Sequence, residues 1–222
     1  MIDFTPEAAG ARAPLRSIVF DLDGTLYVSD ELGERIAAAG ARYVADLRGI
    51  DSVAAGHLID ETKTLLAART GHASSLSHAC LELGGDLRDL HRHFAADVNP
   101  DELLERDERV VELLLRLRER FGLYLYTNNN SVLSGRIMAS IGVTGLFNRV
   151  FTIEDTWCPK PDRTVIEGIF REIGSTPAEC LFVGDRYDID LRLPAELGCR
   201  VHLSRSIDEL LALHSIMSEE PR

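Results

Sequence analysis

Two aspartates, Asp21 and Asp23, stand one residue apart at the end of the apolar run Ser17–Phe20 in "SIVFDLDGTLY". A charge left unpaired at the edge of a core is costly: it must find a partner or neutralise. Either the fold gives up stability here or something positive sits opposite this pair. Paired carboxylates suit cation binding, nucleophilic attack and acid–base work, and the rest of the chain decides among these.

Four further runs read as short strands: Leu123–Tyr126, Arg149–Thr152, Cys180–Val183 and Arg200–Leu203. The first leads into Thr127, Asn128, Asn129 and Asn130. After the second comes "EDTWCPKPD", with Lys160 between two prolines. The third leads into Gly184, Asp185, Arg186, Tyr187, Asp188, Ile189 and Asp190, whereas the last offers only Ser204 and Arg205. Each tail alone is bland, because an aspartate after a strand is commonly a turn or cap residue and a lone lysine a solvated one. Their order is the signal, since ligands of open α/β sheets gather at the carboxyl ends of the strands. Lys160 is also one of only two lysines, with Lys63, among 24 basic residues. A compact ammonium is a movable point charge where guanidinium is a rigid fork, which gives a reason for lysine there.

The elements that must position these residues have helical periods between the strands. Ser131–Ile141 carries Val132, Leu133, Ile137, Met138 and Ile141, then Gly142. Thr164–Ile173 carries Val165, Ile166, Ile169, Phe170 and Ile173, then Gly174. Both patterns predict amphipathic helices closed by glycine. Strands alternating with helices predict a doubly wound, Rossmann-like parallel sheet. Residues 28–104 differ: they lack a convincing β-run and give helical candidates near 31–48, 53–69, 74–83 and 87–96. They read as a helical domain inserted into a core of residues 1–27 and 105–222, with Asp107–Arg120 a helix of the core. "TPAE" (Thr176–Glu179) has the cap, proline and glutamate of a helical turn, and "SIDELLALHSIM" opens with a capping box of Ser206 and Glu209.

At 222 residues, 45% hydrophobic, the chain can bury a sizeable core. Its net charge of −12 argues against a nucleic-acid polymer as partner, which needs clustered Lys/Arg. A small anionic substrate stays open if the site itself is positive. No apolar run reaches the ~20 residues that span a bilayer, and "MIDFTPEAAGARAPLR" lacks the apolar stretch of a signal peptide. Cys80, Cys158, Cys180 and Cys199 are scattered, which predicts reduced core thiols and a cytoplasmic protein. The sequence is silent on oligomeric state.

"FDLDGTLY", "LYTNN", "CPKPD" and "FVGDRYDID" resemble the four motifs of the haloacid dehalogenase-like hydrolase superfamily. The insert resembles the family's C1-type cap, and "GTLY" with "YTNNN" is similar to the pyrimidine 5′-nucleotidase-like branch. The resemblance implies a phosphatase acting on a small phosphorylated metabolite, with a nucleoside 5′-monophosphate as the favoured substrate. Asp21 would be the nucleophile, giving an aspartyl-phosphate, and Asp23 the general acid and then the base. Lys160 would neutralise Asp21 and the transferring oxygens, and Thr127 would donate a hydrogen bond to one of them. Leu22 and Gly24 would turn backbone N–H groups toward the phosphoryl oxygens, and the Asn128 N–H lies near a helix start. The resemblance assigns Mg²⁺ to the side chains of Asp21 and Asp185 and the backbone carbonyl of Asp23. All-oxygen donors with open positions suit that ion. Asp190 falls on the family's second motif-four acid, held by water or Lys160, and Asp188 is a weaker candidate for that outer role.

Asp23 argues against the dehalogenase and phosphonatase branches, which lack it. A phosphomutase or other phosphoryl transferase stays open. So does a non-catalytic phosphoryl-binding scaffold, although a mere binder needs no general acid. A receiver-type domain is disfavoured by the large insert. Tyr27, Lys63, Arg69 and His72 are candidate rim residues, and Trp157 and Tyr187 read as core or rim aromatics. His91 and His93 lie i, i+2 in a predicted helix, which does not put both on one face for zinc.

Overall fold

A computed structural model describes residues 13–215. The signal-peptide reading of residues 1–12 and the end of the closing helix, from Ile216 on, lie outside the described residues. Five parallel strands, β1 (Ser17–Phe20), β2 (Gly122–Tyr126), β3 (Arg149–Phe151), β4 (Cys180–Gly184) and β5 (Arg200–Leu203), form one sheet in the order β3-β2-β1-β4-β5. β1 is central and buried throughout, with Phe20 in register with Leu125 on one side and Val183 on the other. The strand order reverses beside β1, so a crevice opens at its carboxyl end, where Asp21 and Asp23 stand.

Successive residues of β1 point to opposite faces and thereby divide the core. Ile18 and Phe20 join Leu123, Leu125 and the Val110, Leu113, Leu114 and Leu117 stripe of α5 (Glu108–Arg118). Val19 joins Phe182, Tyr126 and the Ile166, Ile169 and Phe170 stripe of α7 (Arg163–Ile173). Each buried side chain of this size contributes about 1.5–3 kcal/mol.

Between β1 and α5 lie four helices: α1 (Asp30–Arg48), α2 (Ser52–Thr70), α3 (Leu76–Glu82) and α4 (Leu87–Asp97). Short polar side chains start them, with Ser29, Asp51, Ser75 and Asp86 each accepting backbone N–H bonds that the first turn cannot satisfy internally. Ser75 takes this role, so α3 begins at Leu76 rather than at 74. The apolar cluster of the sheet runs without a break into Leu32, Val44, Ile59, Leu90 and Phe94 of these helices.

The remaining helices follow their strands. α6 (Ser131–Ser140) is capped by Asn130, which donates its amide to the His91 carbonyl as well. α7 ends at Gly174 in the left-handed region, as its sequence predicts. "TPAE" makes a single capped 3₁₀ turn that feeds directly into β4. After β4 the chain makes a wide turn, Tyr187–Leu191, and then α8 (Arg192–Glu196). α9 (Ile207–Leu211) closes the described residues with a 3₁₀ turn, Ala212–Ser215. Three cysteines are buried as expected, but Cys158 is exposed: it lies on the loop leading to Lys160 rather than in a strand or helix.

One glycine of the sheet serves the site directly. A Cβ on Gly184 would fall 2.5 Å from the Cβ of Asp190. Gly184→Ala is therefore expected to displace Asp190 and to destabilise the fold by about 1–3 kcal/mol, as overpacking does. An unchanged urea midpoint would count against that crowding.

Candidate active site

Four loops bring the predicted residues to the crevice. Lys160, on the loop before α7, is as buried as the apolar core, at 2% exposure. Its ammonium donates to Asp21 Oδ1 at 2.5 Å, to Asp190 Oδ1 at 2.8 Å and to the Tyr126 carbonyl at 2.8 Å. The Tyr126 ring lies 4.9 Å from it. All three ammonium donors are thus used, which a buried cation requires. Asn128 helps to hold this loop, its side-chain oxygen accepting from the Lys160 N–H at 2.7 Å.

Asp21 is 4% exposed, and Thr25 donates to its second oxygen at a weak 3.4 Å. Burial, followed by repulsion from Asp190, outweighs the attraction of Lys160 and pushes the Asp21 carboxyl up to about 7. Burial pulls the Lys160 ammonium down, but Asp190 and Asp21 outweigh it and hold it above the usual lysine range. The buried group therefore has one cation between two carboxylates, a composition that favours a further positive charge.

Asp185 sits where that charge would go. One oxygen each of Asp21, Asp185 and Asp190 lie within 4.8 Å of one another. Asp185 Oδ1 is buried with no hydrogen-bond partner among the described residues, and the nearest cation is Arg186 Nε at 3.6 Å. Burial raises its carboxyl above the usual range. An orphaned carboxylate oxygen beside an all-oxygen donor set fits Mg²⁺, which Asp21 and Asp185 would hold. Gly24 makes the close approach of the two strand ends feasible: its φ is +79°, and a Cβ there would stand 2.6 Å from Asp185 Oδ2.

Asp23 is gripped by neutral donors. The Tyr27 hydroxyl donates to Oδ1 at 2.5 Å, and the Asn129 amide to Oδ2 at 2.8 Å. Thr127, fully buried, donates to the same oxygen at a long 3.5 Å and accepts from the Asn129 N–H at 3.1 Å. Asp23 and Asp21 thus occupy different electrostatic surroundings two residues apart. The side chain of Leu22 is fully buried, and its carbonyl accepts from the Thr25 and Leu26 N–H groups of the same loop.

Asp188 does not join the acidic cluster. Its carboxylate accepts from the Ala73 N–H of the α2–α3 loop at 2.8 Å. Asp190, in contrast, is held by Lys160 and by the Arg186 N–H at 3.2 Å. Asp23, Gly24, Asn128, Asn129, Asp185 and Arg186 open onto a cleft of about 1000 Å³ whose far wall is built from the inserted helices. Tyr27 and Lys63 line it as well. Arg69 instead pairs with Glu82, and His72 contacts Thr70 and its own loop. Trp157 packs on His91 and Arg88, and Tyr187 is exposed. His91 meets Phe94 and Trp157 edge-on whereas His93 meets Tyr43, so the two rings have different aromatic partners.

Asn129, Tyr27 and Arg186 are the contacts that sequence reasoning underrates. Tyr27 lies four residues after Asp23 in the same loop, a spacing that could have named it. Asn129 competes with two identical neighbours for the role, and only the backbone path selects it.

A parallel sheet with a buried loop lysine bound to two carboxylates, beside a third whose Oδ1 lacks a hydrogen bond, fits a phosphoryl-transfer class of α/β enzyme. The chain belongs to the haloacid dehalogenase-like hydrolase family, whose pattern matches residues 15–198. It is 24% identical over 183 residues to a glyceraldehyde 3-phosphate phosphatase of Methanopyrus kandleri, covering 80% of this chain and 78% of that one. It is 28% identical over 174 residues to the pyrophosphatase PpaX of Bacillus velezensis, covering 77% and 74%. Its fold matches that of a predicted HAD-like family hydrolase from Porphyromonas gingivalis with a TM-score of 0.59, at 21% identity over 94% of this chain and 100% of that one. The protein is a phosphatase of this family. No helix among the described residues is long and apolar enough to cross a membrane.

Proposed function

We propose that the protein hydrolyses a small phosphate monoester through an aspartyl-phosphate on Asp21, with Mg²⁺ as cofactor and residues 28–104 as a cap over the cleft. The observation that carries this reading is the buried Lys160 held between Asp21 and Asp190, with the orphaned Asp185 oxygen beside them. Asp21 attacks phosphorus, and Lys160 orients its carboxylate and pulls it toward the charged form against burial and Asp190. Asp23, fixed by Tyr27 and Asn129, gives a proton to the leaving oxygen and afterwards takes one from water. Thr127 and the backbone of Leu22 and Asn128 orient the phosphoryl oxygens. Bound Mg²⁺, held by Asp21, Asp185 and the Asp23 carbonyl, would screen the repulsion between these carboxylates and the phosphate dianion.

The insert supplies the substrate's outer contacts. The cleft is roomy enough for a nucleoside 5′-monophosphate, and Tyr27, Ile36, Leu76 and Phe94 give it an apolar wall for a base. The three buried free thiols fit a reducing cytoplasm. A panel of nucleoside 5′-monophosphates, glyceraldehyde 3-phosphate, pyrophosphate and phosphoglycolate, assayed with Mg²⁺ and with EDTA, tests the reading. Phosphate release that EDTA suppresses is expected, with the highest kcat/KM on a nucleotide. Release insensitive to EDTA, or preference for a phosphate without a base, would overturn the cofactor or the substrate assignment respectively.

Tyr27→Phe should leave Asp23 in place through Asn129 but remove its shortest hydrogen bond. A fall in kcat of about tenfold is expected, the size of one well-formed hydrogen bond to a charged group, with KM little changed. An unaltered kcat in this variant would mean that the Tyr27 bond does not position the acid.

A further inference from the structure

The insert is joined to the core on two sides, and the two are unequal. On one side α4 packs against α6, the Asn130 amide reaches the His91 carbonyl at 2.9 Å, Arg136 donates to the Val98 carbonyl at 3.3 Å, and Arg88 lies over Trp157 at 4.9 Å. On the other side, across the cleft, one hydrogen bond ties the two among the described residues: the Ala73 N–H donates to Asp188 Oδ2 at 2.8 Å. Ala73 immediately precedes Ser74, Ser75, Leu76 and Ser77, all of which line the cleft. Asp188 belongs to the turn Tyr187–Leu191, whose Asp190 grips Lys160 and which Arg186 joins to Asp185. One five-residue turn therefore touches both the catalytic lysine and the segment that faces the substrate.

From this we infer that Asp188 is a positioning residue that latches the α2–α3 loop over the cleft through the Ala73 N–H, and is not part of the metal site. The inference rests on residues 28–104 acting as a cap. The broad α4 contact is the hinge side, and the Asp188 bond is the side that opens to admit substrate and closes to set residues 74–77. What the latch needs from Asp188 is an acceptor oxygen, not a charge. An asparagine oxygen supplies the former and lacks the latter, which separates a latch from an electrostatic partner of the metal.

The test uses the whole protein and three variants, Asp188→Ala, Asp188→Asn and Ala73→Pro, the last deleting the donor from the opposite side. Amide exchange at Ala73, Mg²⁺ affinity by calorimetry and turnover of para-nitrophenyl phosphate are measured on each; proline at 73 has no amide and is read by turnover and metal affinity. The latch predicts that Asp188→Ala loses protection at Ala73 and about tenfold in kcat/KM, the scale of one hydrogen bond. Ala73→Pro should match it in turnover, Asp188→Asn should behave as the wild type, and Mg²⁺ affinity should be the same in all. Undiminished Ala73 protection in Asp188→Ala overturns the proposal. So does an Asp188→Asn that falls with the alanine variant and binds Mg²⁺ more weakly, which returns Asp188 to the metal site. If the wild type turns over no substrate, the function reading fails, while the exchange data still decide the bond.

Discussion

Asp21→Asn should abolish turnover without harming the fold. Removal of a nucleophile costs on the order of 10⁴-fold or more in kcat where the remaining residues cannot replace it. The stability side runs the other way. Asp21 is desolvated and repelled by Asp190, and its carboxyl is raised to about 7. In the metal-free protein a raised carboxyl favours folding fully below its unfolded value near 3.8, and that contribution is lost as pH rises toward 7. Asparagine keeps the shape and has no such proton to lose, while Lys160 keeps Asp190 as its partner. Urea unfolding of metal-free protein should therefore give Asp21→Asn a stability at least equal to the wild type, with an advantage that grows from pH 4 to pH 7. A variant destabilised across that range would mean that Asp21 is held by more than the contacts described.

Lys160→Met is expected to lose both activity and stability. The lysine is the only side chain within hydrogen-bond reach of both Asp21 and Asp190 among the described residues. Its removal leaves two buried carboxylates facing each other, and breaking a buried pair in this way costs about 3–5 kcal/mol. Chemical denaturation at neutral pH measures the loss. The double variant Lys160→Met with Asp21→Asn removes one of the orphaned charges and should recover part of it, a non-additivity expected of residues in one network. Strict additivity would show that the three groups do not act as a unit.

These two effects depend on residues that are legible in the sequence for a topological reason. Asp21, Thr127, Lys160 and Asp185 each follow a short apolar run, and a parallel sheet brings such positions to one edge whatever lies between them. The strand positions, to within a residue at either end, and the glycine stop of α7 follow from period and caps in the same way. The grip of Asn129 and Tyr27 on Asp23 is not legible so directly, because loop contacts have no period and three successive asparagines look alike. Asp188 is harder still. Its spacing places it among the metal-site acids, but its partner is a backbone N–H 115 residues away in the insert, which no side-chain pattern encodes. The exposure of Cys158 is missed for a related reason: the composition of the loop before Lys160 does not say which of its faces meets water.

The central claim is that Asp21 carries the phosphoryl group. Rapid-quench mass spectrometry of the protein mixed with Mg²⁺ and a turned-over phosphate monoester tests it most directly. A transient phosphoryl adduct is expected on the peptide containing Asp21, formed and lost at rates compatible with kcat and absent in Asp21→Asn. Steady phosphate release with no adduct at Asp21, or an adduct on another residue, would contradict the account.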